Sequence, residues 1–253
     1  MPDVSLLELA EDSALYIPLR PGFAQPTITE GYGFFPGPIV ATVQRIRLGD
    51  DEVEPAVDEI RARARAADLR RIIWWVGDAA TPEDLGERLV NLGFAPMTTL
   101  TSMALTTAPG GTPIAHVREV ATLDEWLLAN EIDQVVAEIS GDEALEMQAF
   151  NRRVWPEVQY RRVPRMYLAY LDDEPVGFAR TAFTDAGVVL LGSGTLPHAR
   201  RRGVYTSLVH ARWRDAVEAS TPALVIQAGD MSEPILRGLG FNDLGSIRLL
   251  GGE

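Results

Sequence analysis

Arg200-Arg201-Arg202-Gly203 and the following Val204-Tyr205-Thr206 set three guanidinium groups and a glycine where a strand-like run gives way to a helical one. Those residue types at that junction suit an anion. The first N–H groups of a helix lack intrahelical acceptors, the positive end of its dipole lies there, and arginine adds formal charge, so the turn would take a phosphate or pyrophosphate. Gly203 lets the backbone approach the ligand with no side chain between. Carboxylates able to accept a proton stand at Asp230 and at Glu138, Asp142, Glu143 and Glu146, and hydroxyls at Ser232, Tyr205 and Tyr160. The plainer readings are a solvated arginine run, solvated surface carboxylates, and caps or core aromatics. His198 reads as a turn residue held neutral by the arginines, and His116 and His210 have no metal-ligand spacing, so no metal site is expected.

The elements that must position these groups follow from periodicity. An apolar run over Val188–Leu196 is stopped by Pro197, and its Gly192 and Gly194 suit a bulge or a close backbone approach. After Gly203, Tyr205, Leu208, Val209, Arg212, Trp213, Ala216 and Val217 recur at helical spacing. A short strand, Ala223–Ala228, a short helix ending at Leu236–Leu239, and Gly240-Phe241 close the series. Upstream, the pattern predicts a strand near Ile114–Val120, helices over Leu123–Ile139 and Glu143–Trp155, and strands over Arg165–Leu171 and Val176–Phe183 hinged at Asp172-Asp173-Glu174-Pro175. This alternation implies a mixed α/β sheet.

Strand, basic glycine turn, helix, strand and closing Gly-Phe over residues 112–253 resemble the GCN5-related N-acetyltransferase (GNAT) superfamily, whose R/Q-x-x-G-x-G/A turn is matched at Arg200 and Gly203. Tyr205 departs from it, standing where the family has a small residue. The resemblance implies acetyl-CoA as co-substrate, bound by Gly194, Thr195 and Leu196 along the strand and by Arg200, Arg201, Arg202, Gly203, Val204, Tyr205 and Thr206 at the turn. It also implies direct transfer to an amine. Leu236 stands where many members carry a tyrosine general acid, and Gly229 where an asparagine is usual. The candidates left for proton transfer are Asp230, Glu138 and Ser232.

A second copy of the pattern lies upstream. Ile73–Pro82 aligns without gaps onto Val225–Pro234, and each is followed by a leucine-rich helix ending in Gly-Phe, at Gly93-Phe94 and Gly240-Phe241. The helix carrying Val53, Val57, Ile60 and Ala64 on one face would then match the one after Gly203. It opens at Leu48-Gly49-Asp50-Asp51-Glu52, whose acids suit the helix dipole and repel a pyrophosphate. The expected organisation is therefore α/β, with two GNAT-like mixed-sheet domains in tandem: a degenerate one over 1–106, a linker over 107–113 (Thr107-Ala-Pro-Gly-Gly-Thr-Pro113), and an acetyl-CoA-binding one over 114–253.

Composition narrows the chemistry further. A formal charge of -13 excludes a general nucleic-acid binder and favours cationic or neutral substrates, a small-molecule or peptide amine among them. It equally disfavours an aminoacyl transferase, which would need a tRNA donor. With no cysteine there is no disulfide and no acyl-cysteine route, and all 23 basic residues are arginine. No apolar run reaches a membrane span, and Met1–Glu8 lacks the pattern of a secretory signal, so no membrane association and a cytoplasmic location are expected. A non-catalytic acyl-CoA-binding or regulatory module is the alternative to an enzyme.

Overall fold

The computed structural model describes residues 4–253; the amino-terminal end of the 1–106 segment, with the chain's α-amine, lies outside the described residues. The first half comprises α1 (Leu6–Glu11), β1 (Thr27–Ile28), β2 (Gly33–Pro36), β3 (Ala41–Gln44), α2 (Val53–Ala66), β4 (Ile72–Gly77), α3 (Leu85–Asn91) and β5 (Ala95–Leu105). The second comprises β6 (His116–Glu119), α4 (Leu123–Val136), α5 (Gly141–Arg161), β7 (Arg165–Leu171), β8 (Glu174–Phe183), β9 (Val188–Thr195), α6 (Val204–Glu218), β10 (Leu224–Ala228), α7 (Glu233–Gly238) and β11 (Asn242–Gly252). Most elements predicted for the second half fall where the periodicity places them. The exception is α5, which runs through Pro156 to Arg161 instead of stopping near Trp155. Among the described residues no helix is long and apolar enough to cross a membrane.

All strands join one mixed sheet in the order β1-β2-β3-β4-β11-β5-β10-β9-β8-β7-β6. With β6 set aside, that order is the same read outward from either side of the β11/β5 boundary, and equivalent pairs share their direction: β3 with β4 and β9 with β10 are both parallel. Each half therefore lends its last strand to the other. β5 lies beside β10, β11 beside β4, and the two run antiparallel from Asn242↔Ala104 to Gly251↔Ala95.

The repeat has a physical basis in the Gly-Phe pair. Gly93 and Gly240 both adopt positive φ (94° and 99°), a conformation glycine takes without steric cost and one that ends α3 and α7 alike. In both, the phenylalanine N–H then donates back to a leucine carbonyl, Phe94 to Leu89 and Phe241 to Leu236, each at 3.0 Å. Both leucines are fully buried.

On one face of the sheet, α2 buries Val53, Val57, Ile60 and Ala64 as predicted, and α6 places Val209 and Ala216 against Leu224, Ile226 and Leu190. On the other face of the second half, α4 and α5 cover Met166, Leu168 and Phe178, and α1 places Leu9 and Ala10 over Val189 and Val225. The segment 107–113 and its flanks hold no helix or strand, yet they are tied down. Gly110 N–H donates to Leu239 O, and Ile114 and Ala115 N–H both donate to Ser207 Oγ on α6 at 2.9 and 3.0 Å.

Candidate active site

β9 and β10 start as a parallel pair at Val188↔Leu224 and Val189↔Val225 and then separate. The rest of β9 pairs only with β8. Its cleft-side edge from Leu190 on is therefore an open backbone edge, facing a V-shaped gap between two strands. One extra residue is accommodated on β9 between the pairs Thr181↔Leu190 and Ala179↔Ser193, which makes the bulge expected from Gly192 and Gly194. Gly192 at that bulge is exposed. Gly194 has no room for a side chain, because a Cβ would lie 2.8 Å from Val136 and 2.9 Å from Phe178.

The open strand leads into the basic turn. Pro197–Ala199 form a short 3-10 turn, Arg201 and Gly203 take positive φ (61° and 72°), and α6 begins at Val204 with no side-chain cap. The N–H groups of Arg201, Arg202, Gly203, Val204, Tyr205 and Thr206 find no acceptor among the described residues; Ser207 N–H is the first to be paired, to Gly203 O. The helix dipole adds to their field. Arg200 Nε donates to Thr195 O at 3.3 Å, Arg202 reaches the exposed Asp172 at 3.4 Å, and Arg201 has no carboxylate partner among the described residues. Ser207 Oγ donates to Gly203 O and receives the N–H groups of Ile114 and Ala115, fixing the turn from beneath. Leu196 and Val204 turn their side chains into the core and leave their backbones to the cleft. His198 lies 3.2 Å from Glu174 Oε1, so a carboxylate is its neighbour where the sequence suggested the arginines.

A buried polar group underlies this turn. Tyr205 packs on the α6 side against the buried cluster that includes Leu190, Val209 and Leu224, and its hydroxyl is buried toward Ser193 of β9 and Arg212 without closing a hydrogen bond to either. Burial raises its pKa, against the opposing effects of Arg212 and Ser193. Arg212 is fully buried, spends Nε on Leu208 O at 3.0 Å, and leaves both terminal nitrogens without an acceptor. The neighbouring Tyr167 hydroxyl donates to Asp215 at 2.8 Å.

The three candidates for proton transfer are dispersed around the gap. Asp230 is exposed at the end of β10, with no hydrogen-bond partner among the described residues, whereas its repeat counterpart Asp78 accepts from Ser246 N–H. Ser232 donates to Gly229 O at 3.1 Å and stands at the N-cap position of α7 without a side-chain capping bond. Glu138 is exposed on the opposite face, two residues past the Val136 that covers Gly194, with φ 57°. Tyr160 is 89% exposed on α5, and Leu236 is fully buried, so neither presents a hydroxyl to the gap.

Sequence reasoning missed Arg180. It lies on β8 opposite the bulge, donates to Asn130 Oδ1 and Asp133 Oδ2 at 3.0 and 2.6 Å, and brings Nη1 to 3.4 Å from where a Cβ on Gly192 would stand. A lone arginine inside the apolar run Val176–Phe183 was the available signal. A separate cavity of 320 Å³, walled by Trp126, Trp155 and Met166, opens at the far end of β7 from this gap.

No family model and no curated protein matches the sequence. Solved structures do resemble it. A GCN5-related N-acetyltransferase from Kribbella flavida superposes with a TM-score of 0.72 at 18% identity, covering 98% of this chain and 95% of that one. A tandem GNAT protein from the clavulanic acid biosynthesis pathway gives 0.62 at 14%, covering 98% and 93%. A conserved protein of unknown function from Staphylococcus epidermidis gives 0.66 at 14%, covering 95% and 96%. Two halves of equivalent topology, a strand pair that splays and bulges, and these whole-length superpositions together identify the fold as that of the GCN5-related N-acetyltransferases in tandem form.

Proposed function

We propose that the protein is an acetyl-CoA-dependent N-acetyltransferase whose donor site is the gap between β9 and β10. The observation that carries this reading is the parting of those strands after Val189 and Val225 directly ahead of six unpaired N–H groups at a helix start. The residues present fit the co-substrate. The turn supplies donors and positive charge for a pyrophosphate, and the open edge of β9 supplies backbone partners for an amide-containing arm. Acetyl-CoA, when bound, supplies an activated thioester.

This chain's own groups would do the rest. Backbone N–H groups near the Gly192 bulge are the candidate donors to a developing oxyanion. An acceptor ammonium, with a pKa near 10, must lose its proton before attack; Asp230 and Glu138 are the exposed carboxylates on either side of the gap that could take it, directly or through water. A departing thiolate is a modest base, of pKa about 8.5 by analogy with cysteine. Tyr205 Oη, kept protonated by its burial and facing β9, is the best-placed proton donor, since Ser232 is engaged with Gly229 O. With no cysteine or lysine in the chain, transfer is direct.

In this reading the first half is structural. The acceptor is a small-molecule or peptide amine, the location is cytoplasmic, and neither nucleic acid nor membrane is involved. Calorimetric titration of acetyl-CoA into the full chain, followed by release of free CoA in the presence of an amine panel, tests the proposal: binding in a one-to-one ratio with amine-dependent thiol release supports it. The second reading, a non-catalytic acyl-CoA-binding module, is favoured by the buried Leu236 at the position of the family's tyrosine. Binding without thiol release for any amine would select it.

A further inference from the structure

The N-terminal segment after α1 crosses to the second half on the face of α4 and α5. Tyr16 and Ile17 pack against the same buried cluster, Leu9, Ala10, Val189 and Val225, that Leu191 of the bulge packs against. Gly22, at φ 80°, presses so closely on α5 that a Cβ would lie 2.7 Å from Phe150 and 2.9 Å from Val154. Arg20 lies in the chain between these two anchors. Its guanidinium lies 3.9 Å from the centroid of the Phe23 ring, which holds it in place through a cation–π contact but accepts none of its in-plane N–H groups. Among the described residues it has no carboxylate partner, and the one charge that acts on it is that of Arg180. Burial and that like charge together lower its pKa to about 10.

A half-buried guanidinium whose donors meet no protein acceptor is available to an anion that reaches it. The same corner holds the exposed Gly192 and the free Nη1 of Arg180. We propose that Arg20, with Arg180 beside it, receives a carboxylate carried by the acceptor, so that the substrate is an amine bearing a carboxylate, of the amino-acid type. This deepens the proposed function and rests on the β9/β10 gap holding the donor. The charge balance selects the anion. Asp133, 2.6 Å from Arg180, neutralises that cation, leaving one net positive charge at Arg20, which matches a carboxylate and falls short of a phosphate dianion. The chain's net charge of -13 predicts the opposite preference, and a local pair of arginines outweighs it because screening confines the global field to the surface.

The test uses the full chain and matched pairs of amines: amino acids, the same amines lacking the carboxylate (leucine against isoamylamine, alanine against ethylamine), and phosphoethanolamine as the phosphate arm. Two readouts are taken, thermal stabilisation by each compound at millimolar concentration and kcat/KM with acetyl-CoA. The carboxylate-bearing member of a pair is expected to stabilise the protein and to be preferred by about tenfold or more, the worth of a charge-assisted hydrogen bond pair. Arg20→Gln should remove that preference while leaving acetyl-CoA affinity and turnover of the plain amine within about twofold, and Arg20→Lys should restore part of it. No discrimination within any pair in the wild type, an equal loss for both members in Arg20→Gln, or preference for phosphoethanolamine would each overturn the proposal. Failure of acetyl-CoA to bind would instead overturn the reading of the gap, and the stabilisation readout would still decide the fate of Arg20.

Discussion

The two halves carry the same strand pair, β3/β4 and β9/β10, and treat it oppositely. In the second half the strands part after two residue pairs. In the first, pairing runs from Ala41↔Ile72 to Val43↔Trp74 and is then extended past β4 by Thr81, whose N–H donates to Ile46 O, whose carbonyl accepts from Leu48 N–H and whose hydroxyl donates to Leu48 O. That zips the gap shut. Acids from the end of α1 fill what is left: Glu11 accepts from Ala79 N–H against Gly77, and Asp12 accepts from Arg45 N–H at 2.8 Å and pairs with Arg47. The counterpart of Thr81 is Glu233, which turns away to Thr101 and Arg237. At the helix starts, Glu52 Oε2 takes Gly49 N–H at 2.6 Å, while the N–H groups from Arg201 to Thr206 stay free. One topology thus yields an open gap beside free N–H groups or a closed wall according to a few side chains at the strand ends.

The largest effect expected from breaking this comparison is at Gly203. Gly203→Asp places a carboxylate where the free N–H groups converge and a Cβ 3.0 Å from Ile114, and should weaken acetyl-CoA binding by on the order of a hundredfold or more by calorimetry, with the circular dichroism spectrum retained. Unchanged affinity would show that the turn is not the phosphate site. Tyr205→Phe removes a buried hydroxyl that has no partner, so stability should hold while kcat falls by about tenfold to a hundredfold if that proton reaches the leaving sulfur; an unchanged kcat assigns the proton to solvent. Thr81→Val deletes one hydrogen bond of the zip and should cost about 1 kcal/mol in denaturant unfolding, without creating a second acetyl-CoA site, because the backbone bonds and the two acids remain.

The smallest effect concerns Glu11. Burial is the main cause that raises its pKa, so the folded state holds the proton more tightly than the unfolded one, and stability falls as pH rises from the ordinary carboxylate range through the raised value. Glu11→Gln keeps an acceptor for Ala79 N–H and removes that titration. The variant should match the wild type in acid and gain on it toward neutral pH; a variant less stable than wild type at pH 7 would mean that the ionised carboxylate holds the closed gap together.

Much of the second half was legible because its determinants are local. Short apolar runs gave β7, β8 and β9, Gly203 gave the start of α6, and paired glycines gave the bulge. The repeat could be read from Gly93 and Gly240 because only a residue at ease with positive φ ends α3 and α7 in that way. Strand exchange was not legible. Nothing local distinguishes β5 beside β10 from β5 beside β4, and the stretch 107–113, which resembles a free linker in composition, turns out pinned to Leu239 through Gly110, with Ile114 just beyond it held by Ser207. A cut there would leave each fragment holding the other's strand, which makes the full chain the right object for every experiment above. Arg20 was equally hidden, since Arg180, the charge that acts on it, lies more than a hundred residues away and it carries no motif.

A crystal structure of the full chain with acetyl-CoA tests the central claim most directly. One molecule per chain is expected, its pyrophosphate on the N–H groups of Arg201–Thr206 and its arm along β9 from Gly194 to Leu196, with β3 and β4 still joined through Thr81. Acetyl-CoA bound at Gly49–Val53, or lying outside the β9/β10 gap, would contradict it.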